Sequence, residues 1–188
     1  DGGAPQPTVI ARMLERRMTA FPGQKKAEDA WRQYFKPGMR VGLKINRLGR
    51  PLVYTARELT EAVATGVMAA GVKPADVIVW DRHADHFGPT DYKPGTGRLG
   101  ERIQTGGRYD AAKMLHASGG PCPLDTTVAE TDVTVNLPVL KDPGGAGVTL
   151  AIKNTSYRCY RHPRQAHGGN CHAPLAAADH NPLKTTTI

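Results

Sequence analysis

The sequence predicts an α/β fold: an open, mostly parallel, Rossmann-like sheet flanked by helices, with a loop-rich C-terminal part. Three observations predict it. A strand pattern, an apolar helical stripe and a second strand pattern follow one another within residues 39–81, and a β-α-β run of this kind closes a parallel pair through a right-handed crossover. Glycine and proline number 21 and 15 among 188 residues, more than a helical bundle or a coiled coil carries. The apolar residues fall in short periodic blocks, none near the roughly 18 residues that a transmembrane segment needs.

Residues 1–35 read as an N-terminal helical lead-in and 36–188 as a single α/β domain. After an extended start, Val9, Ile10, Met13, Leu14, Met18 and Phe21 recur at helical spacing, and Pro22-Gly23 stops that helix. A second helix is expected over 25–35, with Trp31 and Phe35 on one face. Met39, Val41, Leu43 and Ile45 then alternate with Arg40, Gly42 and Lys44, a strand pattern. Thr55 followed by Glu58 reads as a capping box. The helix it opens shows Leu59, Ala62, Val63, Gly66, Val67 and Ala70 as one stripe, and Gly71 supplies a left-handed cap. Residues 76–81 form a buried strand. Residues 82–107 are polar and glycine-rich, an excursion of the kind that is usually functional or mobile. A helix is expected over 109–118, and strands over 132–136 and 147–152. Beyond Asn154 regular patterning fades, leaving a His/Cys-rich loop segment over 154–188.

The charge is 25 basic against 17 acidic residues, a net +8. Such an excess favours acidic partners when it is clustered. Here no basic run is interleaved with aromatics, so specific nucleic-acid recognition is not expected. A solvated basic surface is the simpler reading. Non-specific binding to an anionic polymer would show as a steep salt dependence. Three cysteines, Cys122, Cys159 and Cys171, allow one disulfide plus a free or ligating thiol, or three reduced thiols.

Three groups of residues carry candidate chemistry. Gly95-Thr96-Gly97-Arg98-Leu99-Gly100 has the spacing of a dinucleotide fingerprint, but no strand precedes it and no long helix follows, so it reads as a loop. The strand ends carry Lys44, Asn46, Asp81 and Asn136. In an open parallel sheet ligands sit beyond the carboxyl ends of the strands, so these residues are candidates for one crevice. Equally, Asn and Asp end strands because they favour turns. Lys141 opens a glycine-rich run, and Lys153-Asn154 follows the apolar block after it. Lysines beside exposed backbone N–H groups suit a small anion such as phosphate or carboxylate. Finally Cys159, His162, His167, Cys171 and His172 are candidate ligands for a transition metal, zinc or iron. A Cys159–Cys171 disulfide is the competing reading. Covalent haem is not expected, because Gly168 stands where the first cysteine of that motif would be.

Two blocks, Asn136-Leu137-Pro138-Val139-Leu140-Lys141-Asp142 and Gly147-Val148-Thr149-Leu150-Ala151-Ile152-Lys153-Asn154, resemble the signature of the domain-of-unknown-function 362 family. Phe35-Lys36-Pro37-Gly38-Met39-Arg40-Val41-Gly42-Leu43-Lys44-Ile45-Asn46 is similar to that family's first strand, and Thr55-Ala56-Arg57-Glu58-Leu59 to the start of its first crossover helix. Asn154, Tyr157, Arg164, His167, Asn170 and Cys171 resemble the exported branch, whose members often carry twin-arginine signals. The resemblance implies an α/β fold, a periplasmic or other extracytoplasmic setting, and kinship with chains fused to iron–sulfur modules. It implies no particular reaction, and whether the chain is an enzyme stays open. Pro143 stands where members commonly have His. Members continue beyond the equivalent of Ile188, so either a C-terminally shortened member or a piece of a longer sequence is expected. The functional expectation is an exported protein that binds a metal ion or small anionic ligand, with a redox link. The alternative is a non-catalytic accessory subunit whose open sheet edge is covered by protein partners in a larger complex.

Overall fold

The computed structural model describes residues 5–20, 23–87, 92–117, 120–141, 151, 154 and 185–187, with the backbone alone at 86, 111, 113–117, 120–122 and 185–187. Its main sheet has six strands. They are β1 (Val41–Lys44), β2 (Val77–Asp81), β3 (Gly95–Thr96), β4 (Arg102–Thr105), β7 (Val133–Asn136) and β8 (Thr185–Thr187), in the spatial order β3-β4-β2-β1-β7-β8. Only the β3–β4 pair is antiparallel. The helices are α1 (Pro7–Ala20), α2 (Ala27–Tyr34), α3 (Arg57–Ala69) and the short α4 (Thr126–Glu130). The predicted α/β class, with a mostly parallel sheet and helices packed on it, is the observed one.

Strand register decides which side chains face which layer. Leu43 lies opposite Val79 on β2 and Val135 on β7, and Val79 lies opposite Ile103 on β4. With side chains alternating along each strand, Val41, Leu43, Val77, Val79, Ile103 and Val135 share one face. They form a single core with Leu14 and Met18 of α1, Ala30 and Trp31 of α2, and Val63, Ala64 and Val67 of α3. The lead-in helices therefore pack on the same core as the crossover helix. The opposite face carries Gly42, Lys44, Ile78, Trp80, Gln104, Thr134 and Asn136. There Gln104 Nε2 donates to Thr127 Oγ1 of α4 at 2.9 Å. Every position of β1 and β2 is buried, as a parallel sheet covered on both faces requires.

Four expectations are corrected. Residues 109–117 are not helical. They form strand β5 (Tyr109–Ala117), paired antiparallel with β6 (Gly120–Asp125) in a separate two-stranded sheet. Its Ala, Lys, Met and Leu favour helix, but propensity is a weak prior that a partner strand overrides. The 82–107 excursion contains β4, a full member of the main sheet, hidden because Ile103 is its one apolar residue. Thr55 is not a helix cap: α3 begins at Arg57 behind Ala56, with no side-chain cap. The run at 147–152 falls outside the described residues except for Ala151, which is helical, as is Asn154; periodicity cannot separate a short apolar strand from a helical turn. Beyond β7 the main sheet continues into β8, with Val135 opposite Thr186. Two expectations stand. Gly71 follows α3 at φ +104, and residues 95–100 lead through the two-residue β3 and a tight turn into β4, with no helix behind them. In that turn the Leu99 N–H donates to Glu101 Oε2 at 2.8 Å.

Candidate functional site

The chain lays down β1, β2 and β4 outward in one direction and then returns to place β7 on the other side of β1. The carboxyl ends of β1 and β7 therefore flank a topological switch point, where open α/β sheets bind ligands. Lys44 ends β1, Asp81 ends β2 and Asn136 ends β7.

Lys44 and Asp81 are both fully buried, with Nζ 2.9 Å from Oδ1. The ammonium also donates to the Ile45 carbonyl and sits 5.2 Å from the Trp80 ring centroid. The Asp81 carboxylate accepts the Arg47 backbone N–H at 2.9 Å and the Arg82 backbone N–H at 2.8 Å. Two buried charges thus satisfy each other, and the carboxylate ties down the backbone beyond two strands. A charge removed from water needs that degree of pairing and hydrogen bonding.

Asn46 joins the next layer. Its backbone N–H donates to Thr55 Oγ1 at 2.9 Å, and the Thr55 hydroxyl donates to the Leu137 carbonyl at 2.8 Å. Lys141 Nζ donates to Asn46 Oδ1 at 3.1 Å and to the Leu48 carbonyl at 2.6 Å. On the β7 side Asn136 Nδ2 donates to the Ala151 carbonyl at 2.7 Å, and Asn154 Nδ2 donates to Asn136 Oδ1 at 2.6 Å. Asn154 Nδ2 also lies 3.5 Å from the Lys44 carbonyl. Asn154 Oδ1 is buried without a hydrogen-bond partner among the described residues.

Lys44, Asn46, Asp81, Asn136, Lys141 and Asn154, six residues singled out from sequence, therefore meet in one network at one end of the sheet. Lys153 lies outside the described residues. So do Cys159, His162, His167, Cys171 and His172. Among the described residues no group of three or more His, Cys, Asp or Glu side chains could hold a metal ion.

The Asn136–Asn154 contact joins the two blocks that carry the family resemblance. The sequence pattern of the domain of unknown function DUF362 matches residues 41–181, well over half of the chain. The chain belongs to the DUF362 family. A search of curated proteins finds no match. The matched region of this DUF362 protein starts at β1 and takes in all of the network.

Sequence reasoning misses three members of the site. Thr55 reads in sequence as a helix cap and instead joins two strand ends. Arg47 is 1% exposed, with its guanidinium 4.6 Å from the Tyr54 ring and 5.2 Å from the Tyr92 ring. It donates to the Thr55 carbonyl at 3.2 Å. Tyr92 is 2% exposed. Burial pushes its hydroxyl up to about 12, against the pull of Thr60, Arg47 and Arg57. The signal available is the cation in Asn46-Arg47, directly past a strand end and facing a Tyr-Thr pair across a short loop. Chemically, the Lys44–Asp81 pair is a neutral, rigid frame. The half-buried Lys141 ammonium brings positive charge to the rim, and the amides of Asn46, Asn136 and Asn154 are hydrogen-bonding groups without a titration of their own.

Proposed function

We propose that this DUF362 protein binds a small anionic ligand, a carboxylate or phosphate compound, beyond the carboxyl ends of β1, β2 and β7. The observation that carries the reading is the convergence of Lys44, Asn46, Asp81, Asn136, Lys141 and Asn154 at the switch point of the sheet. Lys44 and Asp81 hold the strand ends, and Lys141 and Lys153 supply the charge that the ligand meets. The glycines at 144, 145 and 147 add backbone N–H donors of the kind that cradle anions. Titration calorimetry with inorganic phosphate and with succinate, at matched ionic strength against chloride, tests the reading. Saturable binding of one of them, weakened at least about tenfold by Lys141→Met, is expected from loss of a charge-assisted hydrogen bond. Absence of saturable binding, or equal affinity in the variant, overturns it.

The reading extends to a transition metal held by Cys159, His162, His167, Cys171 and His172, supported by the preference of thiolate and imidazole for zinc or iron. Elemental analysis of the purified protein decides it. Stoichiometric metal lost in His167→Ala is expected, and metal-free protein overturns the extension. An extracytoplasmic setting belongs to the same proposal and rests on the resemblance of residues 154–171 to the exported branch.

A further inference from the structure

A cavity of about 380 Å³ lies between α1, α2, α3 and the turn before β4, and it shares no residue with the network at the strand ends. Leu14, Trp31 and Gly66 are the buried part of its lining, and Leu99 of the turn completes it. The volume is that of a small-molecule site, roughly 300–1,000 Å³, mostly apolar with a few placed polar groups. Trp31 supplies one such group. It is 4% exposed, and its indole N–H donates to no described residue. The indole edge lies against Gly66, with Nε1 2.7 Å from where a Cβ on that glycine would stand, so the donor sits at the cavity wall. A donor held this deep calls for an acceptor, which a molecule in the cavity can bring.

Every ionisable side chain that lines the cavity is a carboxylate: Glu15 on α1, and Glu58 and Glu61 on α3. No Lys or Arg lines it, in a chain whose net charge is +8. Glu61 is committed, with Oε1 2.7 Å from Arg57 Nε and 3.7 Å from Arg98 Nη1. The carboxylates of Glu15 and Glu58 have no ion pair among the described residues, and Glu58 is half-buried. Two uncompensated carboxylates thus reach one apolar cavity from two different helices. The complement to that lining is a cation on an apolar body, because a carboxylate bonds an ammonium more strongly than it does a neutral donor.

We propose that this cavity binds a small organic amine. Glu15 and Glu58 hold the ammonium, Leu14 and Trp31 pack against the apolar body, and the indole N–H meets an acceptor such as a hydroxyl. The proposal stands independently of the anion reading. Titration calorimetry of the full chain with tyramine and phenethylamine tests it, with hydroxyphenylacetate as the control of opposite charge. Saturable binding of tyramine is expected, weakened by salt and at least about tenfold weaker in Glu15→Gln/Glu58→Gln. Phenethylamine, which lacks the hydroxyl, binds more weakly, and hydroxyphenylacetate does not bind. Ala11 is exposed on α1 and lines the cavity, so Ala11→Phe fills it and abolishes binding. None of the three substituted positions is buried, so the variants' unfolding midpoints should stay close to the parent's, and a loss of binding is not a loss of fold. Absence of saturable binding of both amines overturns the proposal, as does equal affinity in the double glutamine variant or for hydroxyphenylacetate. Binding retained in Ala11→Phe places the amine elsewhere and overturns it too.

Discussion

Lys44 and Asp81 illustrate how a buried charge acquires a structural consequence. Each is fully buried, and their contact at 2.9 Å joins the ends of adjacent strands. Lys44→Met leaves the carboxylate in a water-excluded site without this counter-charge, though it still accepts the backbone N–H groups of Arg47 and Arg82, so a loss of about 3–5 kcal/mol is expected. Asp81→Asn removes the counter-charge of the buried ammonium and should cost a similar amount. The double variant removes both charges together and should be more stable than the sum of the single losses implies, which urea denaturation of all four proteins measures. Strict additivity would show that the pair does not act as a unit. At this scale the sequence reveals the strand-end polar residues, because alternation locates a strand end and its polar side chain together. It does not reveal Thr55, whose hydroxyl serves a carbonyl 82 residues away. Nor does it reveal that Arg47 turns inward between two tyrosines.

Whole elements are legible where periodicity and punctuation agree. The β1-α3-β2 unit has alternation, a wide apolar stripe and a glycine stop, and it lies within two residues of the expected bounds. β4 and β5 escape the sequence reading because the first has one apolar residue in four and the second is written in helix-favouring residues. Gly66 shows what pattern alone cannot convey. It sits in the buried stripe of α3, and a Cβ there would overlap the Trp31 indole at Cε2 and Cζ2. Glycine inside a helix costs about 1 kcal/mol relative to alanine, and here it lets α2 pack its indole against α3. Gly66→Ala should therefore destabilise by about 1–3 kcal/mol through overpacking, despite the gain in helix propensity. Adding Trp31→Leu should remove that penalty, leaving Gly66→Ala neutral or stabilising once the indole is gone. Denaturation midpoints of the four proteins check this, and an unchanged midpoint for Gly66→Ala alone would mean that α2 and α3 are not in close contact.

Across the molecule the two faces of the sheet have different chemistry. One packs aliphatic side chains against α1, α2 and α3, while the other buries Lys44, Thr134 and Asn136 and so depends on hydrogen bonds and charge pairing. Tyr92 belongs to the aliphatic side yet reaches Arg47, which places a titrating group between the core and the site. Its hydroxyl titrates at about 12 in the folded protein, because burial disfavours the phenolate, against about 10 in the unfolded chain. Between those values the unfolded chain has lost a proton that the folded protein still holds. Stability from this group is therefore complete below about pH 10 and falls as pH rises toward about 12. The loss should reach about 1 kcal/mol near pH 11, and Tyr92→Phe should lack it. Urea denaturation of parent and variant at about pH 9 and about pH 11 isolates this contribution from other alkaline titrations, since those are common to both proteins. Parallel losses in the two proteins would show that water reaches the Tyr92 hydroxyl and that the joint between core and site is open.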